Sequence, residues 1–163
     1  MRLTLEKYIL DINVEGTRNY YYRSERYVSK GCDCDGCQNY ELATEQFAVE
    51  VSKLFEKLGI DIKKPAEVYV NYSKNNILCY GGFYHICGEI IEGESPWVYT
   101  SKTKETSAGY LLEENMINIA NNYKVAFQER CSLLNKNFPR PCIQMEILAY
   151  VPWMLKKSNS YEA

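Results

Sequence analysis

The stretch GCDCDGCQNY, residues 31–40, places Cys32, Cys34 and Cys37 within six positions of one another. Zinc takes thiolate and imidazole donors in a tetrahedral shell, and the two-residue gap between Cys34 and Cys37 is the usual knuckle spacing around such an ion. Cys32 offers a third thiolate. A closed shell needs a fourth donor from elsewhere in the chain, and His85, the only histidine, is the best candidate, with Cys87 as the alternative. The expected cofactor is therefore zinc. Without metal the same residues form a free thiol cluster in a turn, or a redox pair of Cys34 and Cys37 with Cys32 competing, because a CxxC ahead of a helix is a setting that activates a thiol. Cys87 with His85 is a further nucleophile and base candidate. Two positions along a strand separate their backbones by about 6–7 Å, so a structural histidine is the simpler reading.

The elements that must hold these groups are read from the hydrophobic period. Leu42, Phe47, Val51, Leu54, Phe55 and Leu58 recur at three- and four-residue steps, which predicts one amphipathic helix with Asn39 as its cap and Gly59 as a left-handed stop. Ile60 then folds back toward Phe55 in a Schellman turn. The thiols sit at the N-terminus of that helix, where the dipole favours negative sulfur. Leu3 and Leu5 with their alternates, and then Asn19 to Val28, read as two strands joined near Glu15-Gly16. In such a strand Tyr20, Tyr21 and Tyr22 cannot all face one core, so at least one ring is expected outside, and the three are candidates for binding a partner.

Glu67 to Tyr72, Ile77 to Tyr80 and Phe83 to Ile91 read as strands, with Gly81-Gly82 as a two-residue hairpin loop. On that register Cys79 falls on an apolar face with Ile77, Tyr84 and Ile86, while His85 and Cys87 share the more polar one. Trp97 to Ser101 reads as a strand and Lys102 to Ala108 as an exposed loop. Strand patterns return at Tyr123 to Phe127 and at Ile143 to Ile147, linked by Phe138-Pro139-Arg140-Pro141. The expected fold is α+β, mainly an antiparallel sheet with one well-defined amphipathic helix packed on it. It forms a single domain over residues 1–155, with 156–163 as a flexible C-terminal tail.

Composition bounds the function. A chain of 163 residues, 46% hydrophobic and 25% charged, suits one globular domain with a real core. The formal charge is −2 with scattered basic residues, which argues against nucleic acid as a partner. No apolar run approaches the roughly 18 residues of a membrane span, and the N-terminus alternates where a signal peptide would be continuously apolar, so the expected location is cytoplasmic. Seven cysteines in a reducing compartment point to ligands, core residues or catalysts rather than disulfides. Fifteen tyrosines suit half-buried strands and protein interfaces alike. The chain has no glycine-rich phosphate loop, no HExxH and no GxSxG. A binding protein with a protein partner is thus expected ahead of the alternative, a thiol- or metal-dependent enzyme using Cys34/Cys37 or Cys87/His85.

Taken together, GCDCDGCQNY, KPAEVY, YGGFYHICGEI and FPRPCIQMEILAYVPWML resemble a family of small bacterial proteins with CxCxxCxN near the start and a PW-hydrophobic motif near the end. The resemblance covers the chain from about Arg23 to Leu155. It implies that Cys32, Cys34, Cys37, Asn39, His85, Pro152 and Trp153 belong to shared motifs, and it brings no established activity with it. By analogy of size and architecture alone, an immunity-like inhibitor is the kind of binding protein expected.

Overall fold

A computed structural model describes residues 1–102 and 107–162. The chain opens with a tight hairpin, β1 (Arg2–Leu5) and β2 (Tyr8–Ile12). Its turn is made by Glu6 at φ 47°. Tyr8, Leu10 and Ile12 alternate into the core. Asn13 then caps α1 (Val14–Arg23), its side chain accepting the N–H of Gly16 at 2.9 Å. Residues 19–23 are therefore helical, not the strand expected from their aromatic run. Thr17 and Tyr21, four apart, face inward, whereas Tyr20 is half-buried and Tyr22 is 86% exposed. The cap and the helical spacing override the β-preference of consecutive tyrosines.

The single helix expected over the next stretch is instead a series. A short turn, α2 (Val28–Gly31), precedes α3 (Asp35–Ala43), and a 3₁₀ turn over Thr44–Gln46 leads to α4 (Val49–Leu58). The break comes at Phe47 and Ala48, which are extended. Phe47 turns inward to meet Tyr40 and Tyr123, with ring centroids at 5.7 and 5.2 Å. Asn39 lies inside α3 and Cys34 takes the cap. At the other end the reading holds: Gly59 adopts φ 78°, and the N–H of Ile60 donates to the carbonyl of Phe55 at 2.9 Å.

β3 (Glu67–Lys74) and β4 (Ile77–Glu92) form the next hairpin, turned by Asn75 and Asn76 with φ 54° and 58°. Asparagine tolerates this left-handed pair. β4 runs unbroken through Gly81-Gly82, so the expected loop there is corrected. These glycines admit close neighbours instead: a Cβ on Gly81 would lie 2.5 Å from the Tyr69 ring, and one on Gly82 would lie 2.6 Å from the Glu67 carbonyl. The faces shift accordingly. Cys79, Phe83, His85 and Cys87 share one face, and Leu78, Tyr80, Tyr84 and Ile86 the other.

A separate two-stranded sheet, β5 (Trp97–Lys102) with β6 (Ser107–Leu111), follows. Residues 103–106 of the expected 102–108 loop lie outside the described residues. β7 (Ile117–Ala120), β8 (Tyr123–Gln128) and β9 (Cys142–Pro152) complete the seven-stranded sheet, ordered β1-β2-β4-β9-β8-β7 with β3 also on β4. The long β4 pairs with β9 on one edge and shares its other edge between β3 and β2. All pairings are antiparallel, and the fold is α+β with the sheet dominant.

The helices cover one face. Tyr84 of β4 meets Phe55 of α4 at 4.8 Å between centroids, and Tyr40 of α3 brings its hydroxyl to 2.9 Å from that of Tyr84 and 3.0 Å from that of Tyr123. The three buried hydroxyls satisfy one another, which lets tyrosine serve as a core residue here. Among the described residues, no helix is long and apolar enough to cross a membrane.

A candidate thiolate metal centre

The thiols are placed by the approach to α3. Gly31 ends α2, Cys32 is extended, and Cys34 caps α3, its sulfur accepting the N–H of Cys37 at 3.5 Å. Gly36 makes the corner tight. A Cβ there would lie 2.9 Å from the Tyr161 hydroxyl and 3.0 Å from Val70, and its N–H donates to that hydroxyl at 3.2 Å. The Gly36 carbonyl accepts the Tyr80 hydroxyl at 2.8 Å, fastening the corner to β4.

The three sulfurs lie within 4.8 Å of one another, with Cys37 buried and Cys32 and Cys34 exposed. Three cysteines so close together could hold a metal ion. Tetrahedral zinc with bonds of about 2.3 Å sets its sulfurs about 3.8 Å apart, so only a small closure is needed. The protons are unevenly held. Burial raises the Cys34 thiol pKa, but hydrogen bonds from Cys32, the backbone and thiol of Cys37, and Tyr161 outweigh it and bring the value below normal. Burial, then Cys32 and Cys34, push Cys37 well above normal. Of Cys34 and Cys37, Cys34 is therefore the one that favours the thiolate. Asp35 beside it is held low chiefly by its hydrogen bond from Lys157.

The fourth ligand expected from His85 or Cys87 is not brought to this cluster. Among the described residues, the close group of ligand atoms consists of the three thiols alone. Tyr80, which touches α3, leaves β4 on the face opposite His85, because the two are an odd number of positions apart along the strand. The imidazole Nε2–H instead donates to Gln144 Oε1 at 3.2 Å, and the ring lies between Phe83 and Phe138 at 5.8 and 5.7 Å. Burial lowers its pKa, which suits a neutral structural histidine. Cys87 is buried on the same face, and burial raises its thiol. Gln144 engages Nε2 of His85, so that nitrogen is not free to serve Cys87 as a base. Cys79 shares this face, contrary to the hairpin register expected from Gly81-Gly82.

Asn39 does what the cap was expected to do, but across the fold. Its amide donates to the Pro152 carbonyl at 3.1 Å and to the Tyr80 hydroxyl at 3.4 Å, and its Oδ1 accepts the N–H of Met154 at 2.7 Å. The asparagine of CxCxxCxN and the proline of the PW motif are thus bonded in space. Trp153 carries on from there: its indole N–H donates to the Lys157 carbonyl at 2.7 Å, and its ring meets Tyr161 at 6.4 Å.

The segment after 155 is accordingly not the free tail expected. Lys157 pairs with Asp35, and Glu162 accepts from Ser73 at 2.6 Å and from the N–H of Asn75 at 2.8 Å. Its polar letters conceal the anchors Lys157, Tyr161 and Glu162, and the lone aromatic in SNSYE was the available signal. Of the three tyrosines proposed for a partner, Tyr21 is taken: its hydroxyl donates to the His85 carbonyl at 3.0 Å and accepts the His85 N–H at 3.1 Å. Tyr20 packs on Phe138 at 4.5 Å, leaving Tyr22 in the open.

Beside the thiols lies a cleft of about 360 Å³, walled by Tyr27, Tyr69, Val70, Leu133 and Tyr161. Leu133 is 63% exposed and holds φ 51°, a conformation that branched side chains rarely adopt. No family model matches the chain, and no curated protein or solved structure matches it, so the CxCxxCxN resemblance gains no support there and the site stands on its own geometry.

Proposed function

We propose that this is a binding protein built around a zinc ion held by Cys32, Cys34 and Cys37, with the fourth position open toward the adjacent cleft. The observation that carries the reading is the mutual approach of three sulfurs at a helix N-terminus, two of them exposed. An ion there ties the α2–α3 corner to itself, while Tyr80 and Tyr161 tie that corner to the sheet and the C-terminal segment. The partner we propose is a protein of the inhibitor-target kind. Arg26, Tyr27, Tyr69 and the exposed Leu133 give the cleft rim the arginine and aromatic character of protein-recognition surfaces.

The test is metal analysis of protein purified under reducing conditions, followed by cobalt substitution. One zinc per chain is expected, with thiolate-to-cobalt charge transfer that vanishes in Cys34→Ser. Reduced protein that holds no stoichiometric metal and takes up neither zinc nor cobalt on titration would overturn the reading. A second reading, a nucleophilic thiol, is favoured by the lowered pKa of the exposed Cys34. Alkylation of metal-free protein separates the two: the nucleophile reading requires one fast-reacting cysteine and a substrate-dependent loss of that reactivity.

A further inference from the structure

The other face of the sheet carries a second cavity that the thiol site does not use. It has a volume of about 450 Å³, within the range of small-molecule sites of about 300–1,000 Å³. Its floor is a row of buried polar side chains from adjacent strands. Glu146 and Gln144 are each 2% exposed and Gln128 is 6% exposed. The Gln128 and Gln144 amides both donate to Glu146 Oε1 at 2.5 Å. Gln144 Oε1 accepts the Ser132 N–H at 2.7 Å as well as His85, and Gln128 Oε1 accepts the Tyr99 hydroxyl at 3.3 Å. The walls are aromatic: Trp97 and Tyr99 of β5 stack at 6.4 Å with their planes 20° apart, facing Tyr69 and Phe83 of the sheet.

This arrangement decides the ligand class. The glutamine oxygens are occupied by protein donors, and both glutamine amides already donate to Glu146. The one ionisable group of that floor is the Glu146 carboxyl, beside which each amide keeps a second N–H. Among the described residues, Glu67 adds a second carboxylate to the lining, against one guanidinium, Arg130. Arg130 itself lies over the Tyr99 ring at 5.7 Å, which shows that these walls accept a cation on their faces. The Trp97 indole N–H is buried, forms no well-aligned hydrogen bond, and lies near enough to Glu146 to act on its carboxyl. Burial, with a smaller push from Glu67, holds the Glu146 pKa above normal, although hydrogen bonds from Gln144 and Gln128 and the Trp97 N–H pull it down.

We infer that this cavity binds an organic cation, an alkylguanidinium or alkylammonium group, with its charge at Glu146 and its stem between Trp97 and the sheet aromatics. The group could arrive as a free small molecule or as an arginine or lysine side chain of another protein; the recognition chemistry is the same. The site is separate from the thiol cluster, and zinc content is not required for it.

The probes are butylguanidinium and its neutral isostere butylurea, each titrated against the whole protein while the Trp97 indole resonance is followed. Trp153→Phe assigns that resonance, since the chain has two tryptophans. Saturable binding of butylguanidinium is expected, at least about tenfold tighter than butylurea and weakened by a similar factor in Glu146→Gln. A capped Gly-Arg-Gly peptide and its citrulline counterpart form the second arm. Tighter binding of the peptide than of butylguanidinium assigns a protein side chain, and the reverse assigns a free amine or guanidine. Equal binding of butylurea and butylguanidinium, or no saturable binding by either cation, overturns the inference. The isostere comparison is made on the unaltered protein and decides even if Glu146→Gln does not fold.

Discussion

Replacing Asn39 by alanine tests how the thiol corner is held to the body of the fold. Asn39 is fully buried, and its loss strands two main-chain groups, the Pro152 carbonyl and the Met154 N–H, while weakening the environment of the Tyr80 hydroxyl. A buried group left without its partner costs about 1–3 kcal/mol; both groups here are only part-buried and water can reach them in the variant, so the combined loss is about 1–3 kcal/mol. For a domain of this size that corresponds to a fall in Tm of about 2–12 °C. Urea unfolding of reduced, metal-free protein is the assay, with an unchanged m-value and a lower midpoint expected. Maleimide labelling of Cys37, buried in the native state, should accelerate in parallel, because α3 loses its tie to the end of β9. Asn39→Asp keeps an acceptor for Met154 but aims an anion at the Pro152 carbonyl, so it should be at least as destabilising at neutral pH and recover partly in acid. A loss under about 0.5 kcal/mol for Asn39→Ala, the range of ordinary surface substitutions, would refute the reasoning.

Tyr40→Phe should cost about 1–2 kcal/mol in urea unfolding, because the Tyr123 hydroxyl loses its bond to Tyr40 whereas Tyr84 keeps its bond to the Ile62 carbonyl. Glu146→Gln should flatten the pH dependence of stability. Burial first raises the folded-state pKa of Glu146, so its ionisation costs stability as pH rises from the ordinary glutamate value through the raised one. The groups that accompany it in the cavity are Glu67, Arg130 and, through Gln144, His85. The variant should be more stable than wild type at neutral pH and no more stable in acid, as checked by urea midpoints across that window. Gly59→Ala should cost about 1–3 kcal/mol, since the residue holds φ 78° and the new Cβ would lie 2.6 Å from the Val14 carbonyl; thermal unfolding measures it.

What was readable in the sequence follows from what acts locally. The α4 stop at Gly59 and the fold-back of Ile60 depend on neighbours within one turn, and both are present. The thiol cluster was legible for the same reason: three cysteines in one corner have little choice but to meet. Errors arose where a distant contact outvoted local preference. Tyr20, Tyr21 and Tyr22 carry β-preference, but Asn13 caps a helix through them and Tyr21 finds the His85 backbone. Gly81-Gly82 looked like a turn because paired glycines permit positive φ; their use is to let Tyr69 and β3 lie close, while Asn75-Asn76 makes the turn. That misplaced turn set Cys79 on the face opposite His85 and Cys87, whereas the unbroken β4 puts all three on one face. Lys157, Tyr161 and Glu162 sit in a polar run whose anchoring partners are about 80 to 125 positions away, a distance over which no periodicity operates.

Tyr69 belongs to the lining of both cavities, standing on the edge strand β3 with the thiols to one side and Glu146 to the other. An occupant of either space that moves this ring changes the wall presented to the second. Linkage then runs in both directions with the same factor, so an occupant of the thiol-side cleft and one of the Glu146 cavity would report on each other's binding through a single phenol.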